Sequence, residues 1–411
     1  MSKVWTKFRL AELGKVFTDG DWIETKHQSS DGIRLIQTGN IGIGKFKNKK
    51  SKSRYISDST FKKLNCTEIF ENDCLVSRLP DPVGRSCILP NIRERMITAV
   101  DCTIIRFDQK KIIPEFFNYY SQSLQYLTDV DMKTTGATRK RISRKNLGEI
   151  QIPVPPIPEQ KRIVAILDKA FAAIERAKAN TEKNLANARE LFESYLNKIY
   201  DNPGEDWEEK KLGEVSYIIN GYSFSSKDFS ANNKISSIKI TNVGIREFVE
   251  DSNNKLPAGY EETYKNYLIN SGDIVIALTR TIISGGLKVA IVPNSFNKSL
   301  LNQRVAAIRP NLKQLLTNFL FGFLSTSFVL NYVKSKANTL MQPNLSIFDL
   351  KNLKIPLPNI IIQKQIVEKL ENISSESQKL ETIYQQKLED LEELKKSILQ
   401  KAFDGQLTID N

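Results

Sequence analysis

Two stretches of this sequence decide its fold: residues 152–164 read IPVPPIPEQKRIV, and residues 355–367 read IPLPNIIIQKQIV. They lie at an offset of 203 residues. No proline or glycine follows from Glu159 to Asn202 in the first copy, or from Asn359 to Asp404 in the second. Because a run without helix breakers can continue a helix, each stretch predicts a proline-rich junction into a long helix.

The two junctions belong to a repeat with a period near 200 residues. Residues 5–13 (WTKFRLAEL) return as residues 207–215 (WEEKKLGEV), at an offset of 202. Asp73 and Asp273, each at the start of an apolar run, match at an offset of 200. Several matches in the same order, with offsets that drift by only three residues, indicate a true duplication.

Each repeat combines a globular part with a long helix. The globular parts, residues 1–155 and 203–358, mix apolar runs with turn residues and helical segments, which favours an α+β fold. The helices take residues 156–202 and 359–411, the latter with a C-terminal tail. Their matched length and apolar spacing predict two globular domains, related by pseudo-two-fold symmetry and separated by two long antiparallel coiled-coil helices. The alternative is that each amphipathic helix packs on its own domain.

The charge of the chain favours a polyanionic partner. Its formal net charge is +13, with the positive excess in the two globular blocks and a mildly acidic last stretch. Charge alone does not establish nucleic-acid binding, because a basic protein can be merely basic. No apolar run is long enough to span a membrane, so no membrane partner is expected. The four cysteines form no C-x-x-C pair, and reduced thiols are expected.

Enzyme signatures are missing from the sequence. It has no G-x-x-x-x-G-K-[ST] phosphate loop and no Asn/Asp-Pro-Pro-Tyr-type methyltransferase motif. The single histidine, His27, lies in a polar stretch and rules out a two-histidine metal site. Asp73 could imitate part of a nuclease centre, but its repeat in Asp273 favours a turn role. We therefore expect no catalytic residue, cofactor site or metal site in this chain.

At the duplicated junction the sequence resembles the specificity subunits of type I restriction–modification systems. The similarity covers nearly the whole chain, and residues 212–215 (LGEV) resemble the start of their target recognition domains. The second junction departs from the pattern, because residues 359–363 lack two prolines and the glutamate of the first. A shared role for Glu159 in both halves is therefore in doubt.

The resemblance implies a non-catalytic subunit that serves defence against foreign DNA. In that family each target recognition domain reads one half of a bipartite target in double-stranded DNA, and two unlike domains imply an asymmetric target. The spacer helices and recognition domains hold two methyltransferase subunits, and motor-nuclease subunits join the complex. S-adenosylmethionine, ATP and Mg²⁺ are expected on those partners, which methylate adenine and restrict DNA, and the expected location is the bacterial or archaeal cytoplasm. The alternatives are a coiled-coil scaffold without base readout and a self-contained nuclease or methyltransferase.

A dense basic loop, residues 45–54, is the first candidate for DNA contacts. Such a run suits phosphate contacts, although a solvated lysine face is the alternative. Its candidate residues are Lys45, Lys47, Lys49 and Arg54. Asn40 and Asn242 recur in both repeats, which favours a shared turn as much as contact with base edges.

Two further pairs of loops are candidates for base contacts. The loops that follow strands in the two repeats carry Arg78 and Arg85 in one and Arg280 and Lys288 in the other. An arginine there can place its planar fork on guanine, or can instead hold the loop through carbonyls. The loops before the two junctions carry Arg139, Lys140, Arg141 and Arg144 in one and Gln342 and Asn344 in the other. Since arginine prefers guanine and amides prefer adenine, these loops could make the half-sites different.

Overall fold

The computed structural model describes residues 5–136, 138–251, 253–336 and 344–407. The chain folds into two compact units. Unit 1 takes Met1–Glu182 together with Gln386–Asn411, and unit 2 takes Lys183–Gln385. The boundaries between the units fall inside the two long helices, so each unit comprises one globular repeat and a part of each helix.

The first repeat is built from short strands and helices and leads into the long helix α5. In chain order its elements are β1 Thr6–Arg9, β2 Gly14–Asp19, β3 Ile33–Ile36, β4 Arg54–Ile56, α1 Asp58–Leu64, β5 Glu68–Ile69, β6 Cys74–Ser77, β7 Ser86–Ile88, β8 Met96–Thr98, β9 Cys102–Phe107, α2 Pro114–Tyr120, α3 Leu124–Met132, α4 Arg144–Gly148, β10 Gln151–Val154 and α5 Ile157–Asp201.

The second repeat follows the same plan and leads into the long helix α11. Its elements are β11 Glu208–Lys211, α6 Leu212–Val215, β12 Ser216–Asn220, β13 Ile235–Ile238, β14 Lys255–Leu256, α7 Tyr260–Thr263, β15 Leu268–Ile269, β16 Ile274–Ala277, β17 Ile282–Ile283, β18 Gly286–Leu287, β19 Val289–Ile291, β20 Ser299–Leu301, β21 Val305–Pro310, α8 Thr317–Leu324, α9 Ser327–Lys336, α10 Ile347–Asn352, β22 Lys354–Leu357 and α11 Ile360–Phe403.

The sheets of the two units have the same strand order. Unit 1 has the four-stranded sheets β2-β9-β6-β7 and β4-β3-β8-β5, and unit 2 has the counterparts β12-β21-β16-β19 and β14-β13-β20-β15. Strands β6 and β16 are buried along their whole length, because neighbouring strands and packed side chains surround them. The matching topologies confirm the duplication and the mixed helix-and-sheet class that the sequence predicts.

The repeated proline-rich stretch closes each globular domain. In unit 1, β10 pairs antiparallel with β1, with Thr6 opposite Val154. In unit 2, β22 pairs with β11 in the same way, with Glu208 opposite Leu357. A long helix then begins directly after each of these strands. The first and last strands of each globular domain are therefore neighbours.

A buried glutamine fixes the start of each long helix. The side-chain carbonyl of Gln160 accepts from the N–H of Ile113 at 2.9 Å, and its amide donates to the carbonyls of Lys111 and Pro155 at 2.9 and 2.8 Å. Gln363 makes the same three bonds to the equivalent backbone groups of unit 2. Both glutamines are fully buried, so these bonds satisfy amides that water cannot reach.

Helices α5 and α11 run antiparallel within each unit. In unit 1, the Nζ of Lys178 donates to Glu392 at 2.7 Å, and closer to the start of α5 Arg162 donates to the carbonyl of Leu407 at 3.0 Å. The corresponding contacts in unit 2 are Arg189–Glu381 at 3.0 Å and Lys369 over the ring of Tyr195 at 6.0 Å. Thus residue numbers rise along one helix as they fall along the other, which confirms the predicted antiparallel pairing.

The last turn of each long helix belongs to a globular core. In unit 1 the ring of Phe403, at the end of α11, lies 5.5 Å from the ring of Phe116. In unit 2 the ring of Tyr200, at the end of α5, lies 5.2 Å from the ring of Phe319. Each core is thus completed by the helix that starts from the other repeat. None of the helices in the described ranges is both long enough and apolar enough to cross a membrane.

Candidate nucleic-acid interface

One edge of the sheets gathers most of the candidate loops of unit 1. The N–H of Arg78 donates to the carbonyl of Asp101 at 2.9 Å, and the N–H of Ile142 donates to the carbonyl of Arg78 at 3.2 Å. These bonds place the loop after β6, the turn before β9 and the segment before α4 side by side. We call residues 78–85, 99–101, 134–136 and 138–145 the loop edge of unit 1.

Unit 2 has the same arrangement. The N–H of Leu278 donates to the carbonyl of Arg304 at 2.9 Å, and the N–H of Leu345 donates to the carbonyl of Leu278 at 2.9 Å. The loop edge of unit 2 comprises residues 278–288, 302–304 and 344–346. The residue equivalent to Arg78 is therefore Leu278, and Arg280 lies two residues further along its loop.

Arg85 and Lys288 hold their loops from the inside. Arg85 is only 8% exposed, and its guanidinium donates at 2.7–3.0 Å to the backbone carbonyls of Thr38, Ile41, Leu79 and Pro82. Lys288 is half-buried, and its Nζ donates at 2.7 Å to the carbonyl of Ile240, the counterpart of Thr38. Burial lowers the pKa of both side chains. Both cations therefore have the alternative role, in which the side chain holds its loop through backbone carbonyls. We no longer propose Arg85 or Lys288 as DNA contacts.

Arg78 is also directed into the protein. It is 4% exposed, its Nη2 donates to the carbonyl of Val100 at 2.5 Å, and the same nitrogen lies 3.3 Å from a carboxylate oxygen of Asp19 on β2. Burial lowers the pKa of Arg78. A residue at the end of a strand can direct its side chain inward as well as outward. Arg78 points inward and pairs with Asp19 instead of contacting a base, so we no longer propose it as a DNA contact.

The other cations of the two loop edges are exposed. Arg139 and Arg280 are exposed and make no ion pair or side-chain hydrogen bond with any described residue. Arg144, also exposed, lies 3.5 Å from the hydroxyl of Thr18. Two exposed cations are paired with carboxylates at 2.9 Å, as Lys140–Asp131 and Arg141–Asp101. Asn344 is exposed, whereas Gln342 lies outside the described residues.

The basic loop 45–54 is anchored by a hydrogen bond from a buried arginine. Arg34 is 1% exposed, donates to Asn48 Oδ1 at 2.7 Å and pairs with Glu94 at 3.3 Å. Lys45 pairs at 3.4 Å with Glu175 of α5. The exposed cations of this loop that have no ion pair with a described residue include Lys47, Lys49 and Arg54. A cleft of ≈310 Å³ at the base of the loop is lined by Gln37, Thr38, Gly39, Lys49, Lys52 and Arg54.

Asn40 and Asn242 form a shared turn, which is one of the two roles that their repetition left open. Asn40 Oδ1 accepts from the N–H of Gln37 at 3.0 Å, and its Nδ2 donates to the carbonyl of Lys47 at 3.0 Å. Asn242 makes the equivalent pair of bonds at 2.8 and 2.9 Å and is fully buried. The side-chain amide of each asparagine is therefore already hydrogen-bonded to the backbone.

The turns 99–101 and 302–304 also belong to the loop edges, although neither was among the loops predicted from the sequence. They contribute Asp101 in unit 1 and Gln303 and Arg304 in unit 2, all three with solvent-accessible side chains. No local motif marks these turns, since the residue types differ completely between the two repeats. Only the shared backbone hydrogen bonds show that the turns are equivalent.

His27 and Asp73, which the sequence offered as candidates for enzyme chemistry, both have local structural contacts. No group of three or more His, Cys, Asp or Glu side chains within the described residues could hold a metal ion. His27 Nδ1 accepts from the N–H of Glu24 at 3.3 Å in a short turn. Asp73 accepts from the N–H of Phe70 at 2.9 Å and pairs with Arg106 at 2.7 Å, so it has the predicted turn role.

A sequence profile named Type I restriction modification DNA specificity domain matches residues 2–183 and again residues 204–390. The MjaVIII specificity subunit of a type I restriction enzyme from Methanocaldococcus jannaschii is 30% identical over 326 residues, which cover 75% of this chain and 74% of that protein. The EcoBI specificity subunit of a type I restriction enzyme from Escherichia coli is 26% identical over 331 residues, covering 74% of this chain and 68% of that protein.

Solved structures share the fold. A chain from a study of complex assembly and conformational transition in a type I restriction–modification system aligns with a TM-score of 0.75 and 20% identity, over 98% of this chain and 99% of its own length. The HsdS subunit from Thermoanaerobacter tengcongensis aligns with a TM-score of 0.65 and 20% identity, over 99% of this chain and 98% of its own. At this level of identity the two structures support the fold alone.

Proposed function

The chain belongs to the type I restriction–modification DNA specificity family, and from this membership we propose how it selects DNA. It is a non-catalytic DNA specificity subunit, and each of its two globular domains reads one half of a bipartite target. The observation that carries the proposal is that one topology occurs twice while the loop edges carry different side chains. Two domains with the same fold but different loop side chains recognise two different half-sites, which makes the target asymmetric.

The proposed contacts fall into two classes. The loop 45–54 neutralises phosphates through Lys45, Lys47, Lys49 and Arg54, which gives affinity without reading sequence. The loop edges read bases, in unit 1 through Arg139, Lys140, Arg141 and Arg144, and in unit 2 through Arg280, Gln342 and Asn344. Exposure of all the described members of this set supports the assignment.

A specificity subunit works inside a complex with methyltransferase and nuclease subunits. We propose that two methyltransferase subunits bind along the long helices and the recognition domains, and that motor-nuclease subunits join through them. These partners supply S-adenosylmethionine, ATP and Mg²⁺, and the methyl acceptor is adenine. The bacterial or archaeal cytoplasm, where the DNA lies, is the proposed location.

The test is to add the purified chain to its methyltransferase partner and map the methylated sites. A two-part sequence motif with a fixed gap is expected. Methylation without sequence preference would favour a coiled-coil scaffold instead and would overturn the proposal. Arg139→Ala and Gln342→Ala are each expected to relax one position of a different half-site, and unchanged preference in both variants would remove these loops from the reading surface.

A further inference from the structure

The turn Asn302–Arg304 of unit 2 has the same backbone frame as the turn Ala99–Asp101 of unit 1. The N–H of Asn302 donates to the carbonyl of Ile238 at 3.0 Å, and the N–H of Ala99 donates to the carbonyl of Ile36 at 2.9 Å. At the other end of each turn, the last carbonyl accepts from the residue that follows β16 or β6, at 2.9 Å in both units. The two turns therefore present their side chains from equivalent, rigidly held positions.

The side chains on this common frame have opposite chemistry. Unit 1 places Asp101 there, and its carboxylate pairs with Arg141 at 2.9 Å. Unit 2 places Gln303 and Arg304 there, both exposed, and neither makes a side-chain hydrogen bond or an ion pair with any described residue. The fold of unit 2 does not use these two polar groups, although the backbone that carries them is fixed.

The exposed polar residues of unit 2 lie on backbone segments that meet at Leu278. Its N–H donates to the carbonyl of Arg304, and its carbonyl accepts from the N–H of Leu345, the neighbour of Asn344. Arg280 follows two residues later with a left-handed backbone (φ 48°), and it too is exposed. An amide and two guanidinium groups on one rigid edge match the donor and acceptor groups of base edges in the major groove.

We infer that Gln303 and Arg304 are specificity-determining residues of the second recognition domain, which contact base edges in one half-site. This inference rests on the proposed function. Phosphate contacts come from cations, neutral polar side chains and backbone N–H groups, so a carboxylate is unsuited to them at any position. An equivalent position that is acidic in one domain and basic in the other fits a base contact, because each base pair has its own pattern of donors and acceptors. The planar fork of Arg304 suits guanine, and the amide of Gln303 suits adenine.

The experiment uses the full chain assembled with its methyltransferase partner and a library in which every position of the target is randomised. Arg304→Ala and Gln303→Ala are each expected to lose about 10- to 100-fold of discrimination at a single position of one half-site, the loss of one bidentate contact. Arg304→Lys keeps the charge but not the fork, and it is expected to relax the same position. Lys313→Ala is the matched control, because Lys313 is exposed and lies beyond the opposite end of β21.

Two results would overturn the inference. One is an unchanged preference at every position in Arg304→Ala and Gln303→Ala. The other is a uniform loss of methylation over all sites that Arg304→Lys restores, which would make Arg304 a phosphate contact. If the unsubstituted complex itself showed no sequence preference, the proposed function would fail, and this outcome is distinct from both. Thermal unfolding of each variant shows whether the fold is retained.

Discussion

Arg85 and Lys288 differ in side chain but bind the carbonyl at the same position of their repeats, Thr38 in one and Ile240 in the other. A sequence shows a cation at the end of a strand but not the direction in which that cation points. Arg78 illustrates the same limit, since its partner Asp19 is 59 residues away and only the folded sheet brings them together. Arg78 and Arg85 are therefore structural, whereas Arg304, the proposed base contact, is exposed in a turn that no sequence motif marks.

The structural role of Arg85 leads to a stability prediction. Arg85→Ala removes a buried cation whose guanidinium donates to four backbone carbonyls and joins their loops. We expect a loss of about 2–4 kcal/mol in the free energy of unfolding of unit 1. Chemical denaturation of the full chain measures this loss, and Arg139→Ala, an exposed arginine of the same loop edge, serves as the matched control. Equal stability of the two variants would contradict the buried role of Arg85.

At the scale of elements, the periodicity of the sequence was a good guide. The proline-free runs predict the two long helices, and apolar runs such as Asp273–Leu278 predict the central strands, because both patterns are local. The pairing of β1 with β10 and the glutamine bonds of Gln160 are long-range contacts that no local pattern encodes. The repeat was the one long-range signal in the sequence. It matched Gln160 with Gln363 but did not show that their side chains bind the backbone at the start of each long helix.

The basic loop 45–54 leads to a prediction about salt. If Lys47 and Lys49 each neutralise one phosphate, then Lys47→Ala and Lys49→Ala should each lower the slope of log affinity against log salt concentration by about one. The sequence preference should not change. Binding titrations of the assembled complex between low and moderate salt measure the slope. Lys110→Ala, an exposed lysine beyond the far end of β9, is the control and should leave the slope unaltered.

The continuous helix α5 leads to a prediction about target spacing. We propose deleting residues 182–188 from α5 and 382–388 from α11, between the ion pairs Lys178–Glu392 and Arg189–Glu381. Seven residues correspond to two helical turns, or about 10 Å, and so to about three base pairs. The methylated motif should keep both half-sites and lose about three base pairs from the gap. Methylome sequencing measures this, and an unchanged gap in an active variant would show that the helices do not set the spacing.

At the scale of the whole molecule, the duplication separates the residues that build the fold from the residues that are proposed to contact DNA. The frame of strands, glutamines and helix ends is common to both repeats, whereas the loop edges differ. The resemblance and the duplication were enough to predict the family and the fold class from the sequence. Gln303 and Arg304 were not predictable, because their turn shares no residue type with the equivalent turn 99–101 of the first repeat.

This separation predicts the result of a domain exchange. Replacing residues 1–155 by the recognition domain of another family member should change one half-site and leave the other half-site and the gap as they were. Methylome sequencing of cells that carry the hybrid and its partner subunits measures all three features at once. A hybrid that is active but has both half-sites altered would show that the domains do not read independently.

The position of Phe403 has a consequence for biosynthesis. The aromatic core around Phe116 needs the ring of Phe403, a residue that the ribosome adds much later than the rest of that core. The core of the first recognition domain is therefore incomplete, with an open apolar site, until helix α11 has been made. A stop codon that removes Phe403 would thus damage the first globular domain as well as helix α11, and only chains that include this residue would offer two finished domains.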